Sequence, residues 1–251
     1  MFPRPLQHDL SSTRVALLLA AVGTLTLTGC QAIMSPAPEA QVRIIVASPD
    51  APGLDIYQGA GNAVAYNLGF GTVTSYIQLT PGTYTINADT AGTKQVLSSS
   101  KSTFAASSQY TVLIGNSAAS LQQLTLTDQS QAAPVGQIAL RFIDQATRVG
   151  AVDVYLVPAG QKLTAVAPLI TNVSFGINTG YLNLPAGAYS IVMLPAGTVP
   201  ISTTIASYAG PQVTYISGSS HTVILIDQQL ISTPGLQVIT AEDFTPPGAT
   251  S

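Results

Sequence analysis

The chain is written twice. Val42-Arg43-Ile44-Ile45 lines up with Leu140-Arg141-Phe142-Ile143, and Leu54-Asp55-Ile56-Tyr57 with Val152-Asp153-Val154-Tyr155, both at an offset of 98 residues. The offset is 105 where Phe70-Gly71 meets Phe175-Gly176, Tyr76 meets Tyr181, and Leu79-Thr80-Pro81-Gly82-Thr83-Tyr84 meets Leu184-Pro185-Ala186-Gly187-Ala188-Tyr189. It is 111 between Tyr110-Thr111-Val112 and His221-Thr222-Val223, and 115 between Leu121-Gln122 and Leu236-Gln237. Each step falls between apolar runs. Loops tolerate changes of length and strands do not, so the steps read as loop insertions. Two tandem domains follow, over residues 41–131 and 132–245, each of ordinary domain size.

Within each copy the local signals are β. Runs of four to eight residues rich in Val, Ile, Thr and Tyr alternate with Gly, Pro, Asn and Ser clusters. No window shows a capped apolar stripe of helical period. Thr83-Tyr84-Thr85-Ile86-Asn87-Ala88 alternates as a half-buried strand does. In Leu79-x-Pro81-Gly82-x-Tyr84, Pro81 presets a turn and Gly82 admits unusual φ, after which Tyr84 enters the next strand. The pattern is similar to a tyrosine corner, and Leu184, Gly187 and Tyr189 repeat it. The predicted architecture is all-β: two tandem immunoglobulin-like or prealbumin-like antiparallel β-sandwich domains.

The N-terminus reads as an address. Residues 1–14 are polar and carry Arg4 and Arg14, and Val15 to Leu27 are an apolar run. Such a run spans roughly 20 Å as a helix, short of the ~30 Å hydrocarbon core. A secretory signal over residues 1–29 is the expectation. Leu27-Thr28-Gly29-Cys30 resembles the bacterial lipoprotein lipobox, and Cys30 is the only cysteine of the 251 residues. The resemblance implies an acylated Cys30 as the first mature residue, and stable anchoring needs more than one acyl chain. Gln31 in place of the inner-membrane retention Asp favours the outer membrane of a Gram-negative envelope. Residues 30–40, with two prolines, read as a tether, and 246–251 as a disordered tail.

Val42-Arg43-Ile44-Ile45-Val46-Ala47-Ser48-Pro49-Asp50-Ala51-Pro52-Gly53-Leu54-Asp55-Ile56-Tyr57 resembles the opening of a bacterial envelope domain of unknown function, number 4397 in that series. Val46 stands where that family has His or Asn. The second copy keeps Arg141, Asp153 and Tyr155 but has Ala146-Thr147-Arg148-Val149-Gly150 in place of the Ser-Pro-Asp-Ala-Pro loop. The resemblance implies a secreted or lipid-anchored β-sandwich module, often in tandem, with no established activity. Only Asp50's copy could use that loop as a binding site.

Charge is scarce, at 8% of residues, and the net charge is −3. No basic run exists to meet nucleic-acid phosphates. One cysteine excludes an intramolecular disulfide framework and a zinc site built on several thiolates. Arg43 with Asp55, and Arg141 with Asp153, recur in both copies, and the expectation is two structural ion pairs, because buried charges are costly unpaired. Tyr57, Tyr76 and Tyr84 recur as Tyr155, Tyr181 and Tyr189; they are expected in the core with satisfied hydroxyls, a carbohydrate platform being the rival reading.

Enzyme templates find little. After residue 29 only His221 could serve as a histidine base, and it occupies a strand position. Ser98-Ser99-Ser100-Lys101 lacks the companion motifs of S-x-x-K enzymes. Asp50, Asp55 and Asp89 are the conceivable calcium ligands, without a calcium-loop spacing. Gly69-Phe70-Gly71 is a turn or bulge, not a nucleotide loop. No catalytic residue, metal or cofactor is assigned. The expectation is a lipid-anchored envelope protein with two non-catalytic modules for binding or scaffolding. Its partners would be the membrane, through acylated Cys30, and an envelope protein or glycan. The alternatives are a passive spacer and, behind it, a hydrolase that would depend on His221.

Overall fold

The computed structural model describes residues 38–59, 61–229 and 235–247. The signal peptide, the lipobox residues Leu27, Thr28 and Gly29, Cys30, most of the tether and residues 248–251 lie outside the described residues. Pro38–Ser251 is one compact unit. Its strands are β1 (Ala40–Val46), β2 (Leu54–Gln58), β3 (Asn62–Leu68), β4 (Ile77–Leu79), β5 (Gly82–Thr90), β6 (Val96–Phe104), β7 (Gln109–Gly115) and β8 (Gln122–Thr127). The second half continues with β9 (Gln137–Asp144), β10 (Val152–Pro158), β11 (Ile170–Val173), β12 (Asn178–Pro185), β13 (Gly187–Pro195), β14 (Tyr208–Tyr215), β15 (Ser220–Asp227) and β16 (Leu236–Phe244).

Each half is a sandwich of two four-stranded sheets. The first pairs β4-β1-β7-β8 with β3-β2-β5-β6, and the second pairs β12-β9-β15-β16 with β11-β10-β13-β14. The strand order of one half repeats position for position in the other. The chain thus forms the all-β double sandwich expected of it. Pairing is antiparallel except for β1 with β7 and β9 with β15, which run parallel.

Those parallel strands explain the most apolar segments. A central parallel strand is covered on both faces, so its sequence is a nearly continuous apolar run. From β1, Val42, Ile44 and Val46 enter the core of the first sandwich with Leu54, Ile56, Ile86, Phe104 and Val112. Ile45 and Ala47 face the other way, against Ile143, Ile224, Ile226, Ile239 and Ala241 of the second half. The sheet β4-β1-β7-β8 therefore packs on β12-β9-β15-β16, and the two halves share a third core. The junction expected near residue 131 lies between β8 and β9, but the chain does not come apart there.

The outer sheets differ. Only three residues separate β2 from β3, whereas residues 159–169 separate β10 from β11. The long loop and its counterpart between β13 and β14 fold over the outer sheet of the second half. Leu163, Val166 and Ala206 cover Tyr155, Val157 and Leu194 there.

A shared core predicts joint unfolding. Ile143→Ala, at a fully buried site in the layer between the halves, is expected to lower stability by about 2–5 kcal/mol. Denaturant unfolding followed by tyrosine fluorescence and by far-UV dichroism should show one coincident transition. Two separated transitions would mean that the halves are independent.

Candidate functional site

At one end of the shared layer the two arginines meet the carboxylates of the opposite half. Arg43 lies on the same face of β1 as Ile45 and is 2% exposed. Its Nη2 pairs with Asp243 Oδ1 and stands 3.7 Å from Asp128 Oδ2. Its Nε donates to Thr111 Oγ1 at 2.8 Å and its Nη1 to the Glu242 carbonyl at 2.7 Å. Arg141 does the same in reverse: Nη2 to Asp128 Oδ1 at 2.6 Å, Nε to Thr222 Oγ1 at 3.0 Å, Nη1 to the Thr127 carbonyl at 3.1 Å. Thr111 and Tyr76 donate to Asp128 Oδ2, and Thr222 and Tyr181 donate to Asp243 Oδ2, all at 2.6–2.8 Å. Each guanidinium also lies over its tyrosine ring, at 5.0 Å for Arg43–Tyr76 and 4.6 Å for Arg141–Tyr181. Two cations and two anions cancel, and each carboxylate is surrounded by donors. Burial pushes the Asp243 carboxyl up, against the pull of Arg43. Burial likewise pushes the Tyr76 and Tyr181 hydroxyls up, so they stay protonated as donors.

This corrects the expected ion pairs. Arg43 does not pair with Asp55, nor Arg141 with Asp153. Asp55 instead accepts the backbone N–H groups of Asn67, at 2.8 Å, and Gly92, at 3.0 Å. Those two bonds hold its carboxyl below the usual range, Asn67 first. Asp153 repeats the clasp on Asn172 and Gly197, both at 2.8 Å. Asn67 and Asn172 sit at φ of +48° and +57°, a left-handed conformation that Asn tolerates. The recurrent Asp thus holds two turns at the end of its outer sheet. The missed partners, Asp128 and Asp243, also recur, at the offset of 115 already seen for Leu121 and Leu236. In so charge-poor a chain that recurrence was the available signal.

The other expected residues are placed as follows. The ring of Tyr84 folds back over Gly82, within 3.2 Å of where a Cβ would stand. Tyr189 does so over Gly187, and its hydroxyl donates to the Pro185 carbonyl at 3.0 Å. Asp50 accepts the Ala118 N–H at 2.9 Å and the Ser48 hydroxyl at 3.3 Å, fastening the β1–β2 loop to the turn after β7. In the second half the acid moves to the other partner: Asp227 accepts the Thr147 N–H, the Thr147 hydroxyl and the Arg148 N–H. Of the conceivable calcium ligands, Asp55 and Asp89 are cross-strand partners, while Asp50 belongs to this separate loop. Asp89 Oδ1 is buried without a hydrogen bond. Among the described residues no three His, Cys, Asp or Glu side chains gather as metal ligands, and no helix is long and apolar enough to cross a membrane.

His221 Nε2 lies 3.1 Å from Ser219 Oγ, and Glu242 is its cross-strand partner. That trio does not present a nucleophile. Ser219 is 1% exposed and donates its hydroxyl to the Ile216 carbonyl at 2.8 Å. His221 stacks edge-on against Tyr215, and burial pushes its imidazole pKa down.

One open surface with recognition chemistry is the outer face of β3-β2-β5-β6. Tyr66, 65% exposed, meets Tyr57 edge-to-face with centroids 6.3 Å apart. Lys94 Nζ stands 4.3 Å from the centre of the Tyr57 ring. Asn87, opposite Tyr57, donates to the Gly59 carbonyl and accepts from Ser99, so one amide joins three strands. Thr83 and Thr103 bond across β5 and β6 at 2.7 Å. Tyr57 is itself only 9% exposed, beneath Lys94; in the second half Tyr155 replaces it at 2%, while Val192 and Leu194 replace Asn87 and Asp89. The same face is thus polar and open in one copy, apolar and roofed in the other.

Residues 40–155 match the model of a domain of unknown function, DUF4397. The match takes in the Val42–Tyr57 segment on which the resemblance rests. No curated protein matches the chain. Among solved structures, the TIE protein of Bacillus anthracis is similar over 77% of this chain at 12% identity and a TM-score of 0.24; this chain spans 34% of its length. A streptococcal virulence factor described for alpha-glucan binding is similar over 74% of this chain and 92% of its own, at 12% identity and a TM-score of 0.24. A family CBM26 module of Eubacterium rectale, solved with maltoheptaose, is similar over 82% of this chain and 98% of its own, at 11% identity and a TM-score of 0.23.

Two predictions concern the junction. Arg43→Met strands Asp243 without its cation and is expected to cost about 3–5 kcal/mol in chemical denaturation; a cost under about 1 kcal/mol would show that the crossed pairs do not hold the halves. The second concerns Asp144, buried near Asp227 at the other end of β9. Burial first, and Asp227 after it, raise its pKa from 3.8 to about 6, with the Ala146 N–H opposing. The native state keeps this proton where the unfolded chain has lost it. The stabilisation is full below the unfolded value and lost as pH rises through about 6. Asp144→Asn keeps the acceptor for Ala146 and removes the charge. It should melt higher than the parent at about pH 7.5 and alongside it at about pH 4; equal melting at both would refute the shift.

Proposed function

We infer that this chain is a non-catalytic binding protein of the bacterial envelope, tethered through acylated Cys30. Its first sandwich recognises a neutral glycan on the outer face of β3-β2-β5-β6. The observation that carries the reading is the contrast between the two outer faces. The second copy covers its own with two long loops and apolar side chains. The first leaves Tyr66 and Lys94, which flank the largely buried Tyr57, beside Asn87, Ser99, Thr83 and Thr103. An aromatic edge beside amide and hydroxyl groups suits saccharide rings and their hydroxyls. Loops and exposed faces on a rigid scaffold are where binding residues are usually found. The anchor rests on Leu27-Thr28-Gly29-Cys30 alone, and in a Gram-negative envelope Gln31 favours the outer membrane.

The junction favours a second reading. Crossed buried ion pairs and a shared core make the two sandwiches one stiff body, which is what a spacer needs. In-cell photo-crosslinking of the full-length protein, with the probe at position 66, separates the readings. Recovery of envelope glycan, lost in Cys30→Ala and in Asn87→Ala, is the expected result. Capture of a single protein instead would replace the glycan, and no captured species with the anchor intact would leave the spacer.

A further inference from the structure

The two ends where the halves close on each other are built from matching residues, yet one is plugged and the other is open. At the plugged end Ala47, Ile226 and Ile239 belong to the shared apolar core, and Phe70 packs against that core. Ala47 and Ile226 are fully buried and Ile239 is 8% exposed. At the other end the matching residues are Gln145, Gly115, Leu124 and Phe175. The exchange of Ala47 and Ile226 for Gln145 and Gly115 conserves volume roughly but changes chemistry. A Cβ at position 115 would collide with the Gln145 side-chain oxygen, so this amide lies in the space that only glycine leaves. Gln122 is the cross-strand partner of Gly115, which brings a second amide to the same spot. Phe175 is 42% exposed and Leu124 39%. The result is a cleft of about 200 Å³ lined by Leu113, Gln122, Gln123, Leu124, Gln145, Phe175 and Gly176.

We propose that this cleft is a second saccharide subsite, holding one uncharged sugar ring between Phe175 and the three glutamines. Resting on the glycan reading above, it adds a site on a different surface and one formed by both halves. The chemistry of the lining selects the class. None of the lining residues carries a charge, so a charged ligand would lose its hydration without a counter-ion. Phe175 and Leu124 offer apolar surface to the C–H face of a ring. Gln122, Gln123 and Gln145 carry both donors and acceptors, as hydroxyls require. The walls are fixed in place: the Gly176 N–H bonds the Asp144 carbonyl and the Gln145 N–H bonds the Leu225 carbonyl, both at 2.8 Å. A site that changes shape little on binding spends little of its affinity on ordering.

The test uses the full-length protein in detergent and three probes: hexamers of N-acetylglucosamine and of β-1,4- and α-1,4-linked glucose, each titrated by calorimetry. Binding of at least one probe is expected. Phe175→Ala, and the double variant Gln145→Ala with Gly115→Ile that copies the plugged end, should each weaken it at least tenfold. Tyr66→Ala separates the two sites, since it should leave the cleft component intact. The double variant reuses a pair the chain already packs, and an unchanged melting temperature in Phe175→Ala guards against misfolding. Binding that falls with Tyr66→Ala but not with either cleft variant overturns the cleft and keeps the outer face. Binding of none of the probes overturns both. A photo-crosslinker at position 175 that captures protein and no glycan in cells also overturns the saccharide assignment.

Discussion

The structure turns on an exchange of partners: each arginine of the repeat is neutralised by the aspartate of the other copy. A guanidinium buried between two sheets is intolerable without a carboxylate and further acceptors. Neither half supplies a complete set to its own arginine. Arg43 takes Thr111 from its own half and Asp243 from the second; Arg141 takes Thr222 from its own and Asp128 from the first. This is the reciprocity of a symmetric dimer, where residue i meets j and j meets i, here enclosed within one chain. The apolar layer from Ile45 to Ile239 supplies the burial, and the crossed pairs set which residues stand opposite within it.

Once the inner sheets are used to join the halves, only the outer sheets and the loop ends are left to diverge, and each divergence is small and local. The acid that fastens the first loop to the turn after the seventh strand sits on the loop in one copy, as Asp50, and on the strand in the other, as Asp227. Two lengthened loops convert one outer face into a covered one. An Ala–Ile contact becomes a Gln–Gly contact and opens a cleft. None of these changes touches the crossed ion pairs, which is why both halves keep the same strand order.

Much of this was legible in the sequence. Constant offsets within apolar runs and stepped offsets between them mark strands and loops, because a strand cannot absorb an extra residue without turning its side chains over. The alternation in Thr83–Ala88 and the turn before Tyr84 mark the outer strands in the same way. The pairing of the arginines was not legible, since the nearest recurrent acids in sequence were Asp55 and Asp153, and these are taken by the backbone N–H groups of Asn67, Gly92, Asn172 and Gly197. Of the true partners, Asp243 lies 200 residues from Arg43 but Asp128 only 13 from Arg141, so spacing carries no distance information and only the recurrence at 115 links the two. The open outer face was hidden for a related reason. Tyr57 and Tyr155 are the same residue in the same motif and both are buried, one beneath Lys94 and the other beneath the long loops, so the motif does not show which face stays polar.

Duplication with fusion therefore does something a single sandwich cannot. A lone copy would expose the apolar face of its inner sheet, Ile45, Leu113 and Leu126 among its residues, and would leave Arg43 with only the more distant Asp128, without Asp243 and the Glu242 carbonyl. Joining two copies covers both faces at once and removes the need for either copy to keep a closed surface of its own. The second half, with its outer face roofed, completes the core and the charge balance. The first half is then free to carry polar and aromatic groups in the open, because its stability no longer depends on covering them.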